Sequence, residues 1–264
     1  MMVAKIAAEA AGQILREMLE TAEVREKGPK DLVTDADLAA QREIEKQILS
    51  AFPSHRFVGE ESSQPQDWEK VADHELLWVV DPLDGTANYV HRLPNFAVSI
   101  ALMQGNRTLI GVVYDPMARE MFSALLGRGA TRNDRSIQSS DCQSLEQAMV
   151  AASFPPQVHR ESVEIKQFIE ILLRSQSIRR LGSAALNLCY VATGRLDAYW
   201  ANELKPWDLA AGLLIAQEAG AIACRLNGDD ASPWFGDVLA SATRPLSCEM
   251  RECLAGAVAT RISD

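Results

Sequence analysis

Apolar residues recur at helical spacing over residues 2–26, where Ile6, Ile14, Leu15, Met18 and Leu19, with alanines between them, form one stripe. Gly28-Pro29 breaks that pattern. Thr34-Asp35-Ala36-Asp37 has the polar chemistry of a helix start. A second helix is therefore expected over 36–51, with Leu38, Ile44, Ile48 and Leu49 on its apolar face and Pro53 just past its end. The pattern then shortens. Arg56-Phe57-Val58-Gly59 reads as a strand running into Glu60-Glu61, and residues 64–75 are polar and read as loop. Residues 76–80, 96–103, 108–114 and 120–125 read as strands in quick succession, joined by turns with Gly105-Asn106 and Asp115-Pro116, which predicts an antiparallel sheet.

The second half alternates instead. Strands are expected at 148–153, 177–181 and 197–201, each followed by a helix, at 159–174, 183–194 and 206–219. Strands near 221–225 and 238–242 flank a loop, and a last helix covers 245–259. The fold class predicted is α/β, with an antiparallel sheet in the N-terminal half and α/β alternation in the C-terminal half. The polar stretch 131–145 is the softest boundary. It suggests subdomains 1–140 and 141–264 within a single compact unit, since no repeat, low-complexity run or Pro/Ser-rich linker separates them.

Composition narrows the function. The 264 residues, 47% of them hydrophobic, are enough for a sizeable core. A net charge of −10 makes direct nucleic-acid or anionic-membrane binding a poor expectation, because no general pull toward phosphate exists. An anionic substrate would need a local inversion of charge, and a bound cation is the simplest device. The five cysteines form no C-x-x-C pair, and Glu9, Arg16 and Glu17 interrupt any signal-peptide core, so a cytoplasmic protein with reduced thiols is expected.

The sharpest feature is Asp81-Pro82-Leu83-Asp84-Gly85-Thr86-Ala87-Asn88-Tyr89, directly after the apolar run 76–80. Pro82 has no N–H and should stop the ladder. Gly85-Thr86 would let a ligand approach backbone N–H groups at the start of a short helix. The bland alternative is a strand followed by a turn with Asp84 as its N-cap. Glu60-Glu61 also follows a strand, and adjacent acids repel unless something cationic holds them or the turn is solvated. Asp35 and Asp37 stand at a helix start, where acids are favourable in any case. Asp208 lies in the first turn of a helix, after Pro206, that is apolar nearly all round and so buried. Brought together, Glu60, Asp81, Asp84 and Asp208 would form a cage of oxygen ligands, which selects hard cations such as Mg²⁺, Mn²⁺ or Ca²⁺. The four histidines lack zinc spacing, and neither a P-loop nor a G-x-S-x-G elbow is present.

Val58-Gly59-Glu60-Glu61-Ser62, Trp78-Val79-Val80-Asp81-Pro82-Leu83-Asp84-Gly85-Thr86-Ala87-Asn88-Tyr89 and Pro206-Trp207-Asp208-Leu209-Ala210-Ala211-Gly212 together resemble the signatures of the inositol monophosphatase family, lithium-sensitive Mg²⁺-dependent phosphatases related to fructose-1,6-bisphosphatase. The resemblance runs from Asp31-Leu32-Val33-Thr34 to the final helix. It implies a layered αβαβα sandwich and a cytoplasmic homodimer that hydrolyses a small-molecule phosphomonoester with two to three Mg²⁺ ions, Mn²⁺ being able to substitute. It implies that Glu60, Asp81 and the Leu83 carbonyl hold one ion, that Asp81, Asp84 and Asp208 hold a second, and that Glu60 with waters holds a third. Thr86, with Asp37 behind it, would orient and deprotonate the metal-bound water for direct in-line attack. The Gly85 and Thr86 N–H groups would take phosphate oxygens, and Asp84, Ala184 and Asp208 would face the substrate. Gly182-Ser183-Ala184-Ala185 matches the family's substrate-contacting turn. Ala201, however, stands where inositol-preferring members carry a glutamate. If the backbone stays extended, positions 201 and 203 share a side and Glu203 is expected to substitute in part. The expected substrate is a small polyol or sugar phosphate. The alternatives are fructose-1,6-bisphosphatase or histidinol-phosphatase specificity, a 3′-phosphonucleotide, or a regulatory interaction protein with incidental phosphatase activity, since some bacterial relatives act alongside the transcription machinery.

Overall fold

The computed structural model describes residues 1–28, 31–61 and 74–259. The expected loop at 64–75 lies outside them apart from its last two residues, as do Pro29 of the predicted helix break and Ser62.

The first predicted helix ends early. Helix α1 spans Met2–Met18, and β1 (Val24–Gly28) forms an antiparallel hairpin with β2 (Asp31–Thr34). The reason lies in the sequence after Leu19. Glu20, Glu23, Arg25, Glu26 and Lys27 leave no apolar stripe to bury, and helices are held chiefly by such stripes. Helix α2 (Asp35–Ala51) begins at a reciprocal cap, in which the Asp37 N–H donates to Thr34 Oγ1 and Asp37 Oδ2 accepts the Thr34 N–H.

Seven strands form one sheet in sequence order: β3 (Arg56–Gly59), β4 (Leu76–Asp84), β5 (Ala97–Gln104), β6 (Arg107–Asp115), β7 (Glu120–Leu125), β8 (Ala130–Arg132) and β9 (Arg135–Ser136), with a short helix α3 (Thr86–Val90) after β4. All neighbours are antiparallel except β3 and β4. Strands β8 and β9 fall in the stretch read as a boundary. They are short, β9 is exposed, and they are joined by Asn133-Asp134, both with positive φ as a two-residue hairpin turn requires.

The second sheet has the order β11-β10-β12-β14-β13, from β10 (Met149–Ser153), β11 (Ser177–Arg179), β12 (Ala198–Ala201), β13 (Ile222–Cys224) and β14 (Val238–Ser241). It is mixed: β10 runs parallel to β11 and β12, while β14 is antiparallel to both its neighbours. Its helices are α4 (Val163–Arg174), α5 (Ala184–Ala192), α6 (Pro206–Glu218) and α7 (Arg244–Ala259).

Strand alternation sorts the layers. Trp78 and Val80 on β4 pack with Ala8, Leu15, Ile44 and Ile48 of α1 and α2. Leu77 and Val79 point the other way, to Leu186, Ala211 and Leu214 of α5 and α6. Those two helices meet Tyr199, Ala201 and Ala240 of the second sheet on their far side. The opposite face of that sheet, with Val150, Trp200 and Leu239, is covered by Ile171 of α4 and Leu246 and Met250 of α7. The result is the five-layer αβαβα arrangement. Helices α5 and α6 form the central layer, and every residue of α6 from Leu209 to Ala216 is buried. No described helix is long and apolar enough to cross a membrane.

The contact between α6 and the first sheet is close. A Cβ on Gly111 of β6 would stand 2.6 Å from the Ala211 carbonyl oxygen. Gly111→Ala is therefore expected to lower stability by about 1–3 kcal/mol through overpacking, read from urea denaturation midpoints.

Candidate active site

Strand β4 does not stop at Val80. It continues through Pro82 to Asp84, because a bulge absorbs the proline: Asp81 pairs with Ser99 and Asp84 with Ala97, so two residues of β4 face one of β5. That extra residue matters chemically. On a regular strand, side chains three apart point to opposite faces. Here Ser99 and Ala97 share a face, so Asp81 and Asp84 both turn toward α5 and α6. The Leu83 N–H closes onto Asp81 Oδ1 at 2.9 Å.

Asp208 is delivered to the same face. Pro206 starts α6, the Lys205 N–H donates to Asp208 Oδ2 at 2.8 Å, and the Ser99 hydroxyl donates to the Trp207 carbonyl at 3.0 Å. Among the described residues, carboxylate oxygens of Asp81, Asp84 and Asp208 lie within 4.8 Å of one another. Glu60 joins from the next strand. Its N–H donates to the Val80 carbonyl, and its charge is one of the forces acting on Asp81 and Asp208. Of the four acids expected to converge, Asp81, Asp84 and Asp208 are brought within 4.8 Å of one another, and Glu60 stands near enough for its charge to act on two of them.

Asp84 is not the cap of the helix that follows it. That place is taken by Gly85, at φ +100, where a Cβ would press on the Asn95 and Gly182 carbonyls. Asp84 instead caps α5 across the interface: Oδ2 accepts from the Ser183 hydroxyl at 2.5 Å and the Ala185 N–H at 2.8 Å, and Oδ1 from the Ala184 N–H at 3.2 Å. Ala184, expected to meet substrate, thus spends its N–H on Asp84.

Thr86 opens α3, so its N–H and that of Gly85 stand at a helix start, where first-turn amides lack intrahelical partners. The Thr86 hydroxyl lies 3.3 Å from Asp37 Oδ1 and 3.1 Å from the Leu83 carbonyl oxygen. The expected pairing of Thr86 with Asp37 is present.

The Glu203 expectation fails on its premise. Strand β12 ends at Ala201, which is fully buried, and Glu203 is exposed with φ +58. A left-handed residue breaks the alternation that was to put positions 201 and 203 on one side.

Burial and mutual repulsion leave their mark on these acids. Asp81 is pushed well above the usual carboxylate range, first by burial and then by Glu60, Asp84 and Asp208. Asp208 is pushed up by burial, Asp84 and Glu60. Burial raises Asp84 to about 6 against its three hydrogen bonds, and raises Asp37 to about 6 against those from Thr34. Buried like charges at this spacing fit a hard cation: the donor set is all oxygen, and a cation would remove the repulsion.

A family model described as the inositol monophosphatase family matches residues 2–262. The chain belongs to the inositol monophosphatase family. Among its relatives in the family, the protein named Nus factor SuhB of Pseudomonas aeruginosa is 39% identical over 248 residues, covering 92% of this chain and 91% of that one. The extragenic suppressor protein suhB of Bartonella henselae superposes with a TM-score of 0.87 at 33% identity, over 96% of each chain. The Thermotoga maritima IMPase does so with a TM-score of 0.86 at 32% identity, over 97% of this chain and 96% of the other.

Sequence reasoning did not single out Ser99, which seats α6 beside Asp81, or Gln41, whose Oε1 accepts the Glu61 N–H at 2.9 Å. Nor did it find Asn88 as a link, although it sits in the quoted motif. Its Nδ2 donates to the Asn95 and Leu181 carbonyls and so ties α3 to the turn before α5. Only a polar residue where an apolar one fits the period could have flagged Ser99 and Gln41.

The repulsion has a measurable consequence without any cation. A carboxylate whose pKa is raised by folding binds more protons folded than unfolded, so its contribution to stability falls as pH rises from about 4 through about 6. In chelator, Asp81→Asn is expected to melt above the native protein at pH 7, with the gap closing toward pH 4. A lower melting point at pH 7 would contradict the electrostatic account.

Proposed function

We propose that the chain is a Mg²⁺-dependent phosphomonoesterase acting on a small polyol or sugar phosphate. The observation that carries this is the convergence of Asp81, Asp84 and Asp208 within 4.8 Å, with the Thr86–Asp37 pair beside them. Glu60, Asp81 and the Leu83 carbonyl would hold one ion and Asp81, Asp84 and Asp208 a second, with Glu60 reaching a third and Mn²⁺ able to replace Mg²⁺. Such ions supply positive charge against the phosphate and acidify a water.

The chain's own groups do the rest. Thr86 Oγ1 orients the attacking water, and Asp37, raised by burial to about 6, takes its proton through that hydroxyl. The Gly85 and Thr86 N–H groups bind phosphate oxygens. The water oxygen attacks phosphorus in line and the P–O ester bond breaks, without a phosphoenzyme; the leaving alkoxide takes a proton from solvent water, and the proton held by Asp37 returns to solvent, so that one water is consumed. Asp84 and Asp208 face the alcohol side. Ala201 offers no acceptor to inositol hydroxyls and Glu203 stands on an exposed left-handed bend, which favours a substrate other than inositol phosphate or a broad range. The family resemblance adds the expectation of a homodimer.

A second reading has one observation in its favour: relatives near 40% identity are named Nus factor SuhB. In that reading the chain works as a regulatory partner and hydrolysis is incidental.

A panel of inositol 1-phosphate, fructose 1,6-bisphosphate, histidinol phosphate and a 3′-phosphonucleotide, assayed with Mg²⁺, separates the two. The enzyme reading expects Mg²⁺-dependent phosphate release, its loss in Asp81→Asn, and a fall in kcat of about 10²–10³ in Thr86→Ala. A Mg²⁺-loaded protein inert across the panel supports the regulatory reading.

A further inference from the structure

Gln41 is buried on α2 one turn beyond Asp37, and residues four apart share a helix face. From that face the two side chains reach two different turns. Asp37 Oδ1 accepts from Thr86, just after β4, and Gln41 Oε1 accepts the Glu61 N–H, just after β3. Strands β3 and β4 are parallel, with Gly59 beside Val80, so both turns leave the sheet at the same end. One helix face therefore grips both acid-bearing strand ends.

Gly59 records how close the second grip is. An added Cβ there would stand 2.3 Å from Gln41 Oε1 and 2.5 Å from its Cδ. Gly59 is not among the residues with positive φ. Its backbone does not call for glycine, but the approach of Gln41 does. The neutrality of Gln41 also matters. Glu61 already acts on Asp37 electrostatically, and Glu60 acts on Asp81. An amide oxygen accepts the Glu61 N–H without adding another negative charge to this crowd.

We propose that Gln41 is a positioning residue for Glu60: its amide pins the Gly59–Glu61 turn to α2 and so sets the distance from Glu60 to Asp81, Asp84 and Asp208. This rests on reading those acids as cation ligands. Gln41 touches neither ion nor substrate and acts through the turn.

The test is a double-mutant cycle on Gln41 and Gly59, with Mn²⁺ alone as the probe and binding read by calorimetry. Gly59→Ala should weaken Mn²⁺ binding about tenfold, as loss of outer partners commonly does, because its Cβ displaces the amide. Gln41→Ala should weaken it comparably. The double variant should bind no worse than Gln41→Ala, since removing the side chain makes room for the Cβ. Gln41→Glu keeps the acceptor and should bind at least as tightly as native, whereas Gln41→Met, similar in length but without the oxygen, should not. Additive losses in the cycle, native affinity in folded Gln41→Ala, or equal affinity of Gln41→Glu and Gln41→Met would overturn the proposal. If Gln41→Ala does not fold, the Glu and Met pair decides. Failure of the underlying site reading looks different: Mn²⁺ binding would then be unchanged in Asp81→Asn. In that event the same cycle read in melting temperatures still tests the Gln41–Gly59 lock.

Discussion

Asp81, Asp84 and Asp208 stand within 4.8 Å of one another, the first two buried and the third half-buried. A protein does not bring such groups together cheaply: each carboxylate taken from water favours its neutral form, and each neighbour's charge adds to that preference. The bulge at Pro82-Leu83 creates the arrangement by turning two acids to one face of β4. Much of the surrounding polar chemistry keeps the acids there. Ser183 and the first amides of α5 hold Asp84, Lys205 N–H holds Asp208, and Ser99 seats the residue before it.

The layered architecture serves this one constraint. The acids arrive from the first sheet and from the central helix layer, so the site exists only where those layers meet. Helix α6 is buried along both flanks and cannot move away without opening two cores. Helix α2 covers the opposite face, yet reaches around the strand ends through Asp37 and Gln41. Rigidity of this kind suits a site that must hold like charges at fixed separation.

Much of this was legible in the chain. Strands and helices with a clear period, such as β7 and α2, fall within a residue or so of expectation, because burial of one face dictates their pattern. The acids were legible because carboxylates rarely follow apolar strands without a reason. What escaped was set by pairing rather than by pattern. A proline that should end a strand is absorbed by a bulge visible only in the register with β5. The polar stretch after Leu19 ends the first helix, but that it becomes a strand depends on β2 being there to pair with it. Asp84 caps a helix a hundred residues away, not the one beside it. The inference about Glu203 assumed an extended backbone that its φ of +58 denies.

The central claim is that the repulsion among these buried acids exists to be relieved by a cation. Proton release on Mg²⁺ binding tests it most directly, measured by calorimetry at pH 6 in buffers of differing ionisation enthalpy. Acids with raised pKa values are partly protonated before the ion arrives, so binding must expel protons, and fewer of them as pH rises toward 8. Mg²⁺ binding with no proton release at pH 6, or no binding at all, would contradict the account.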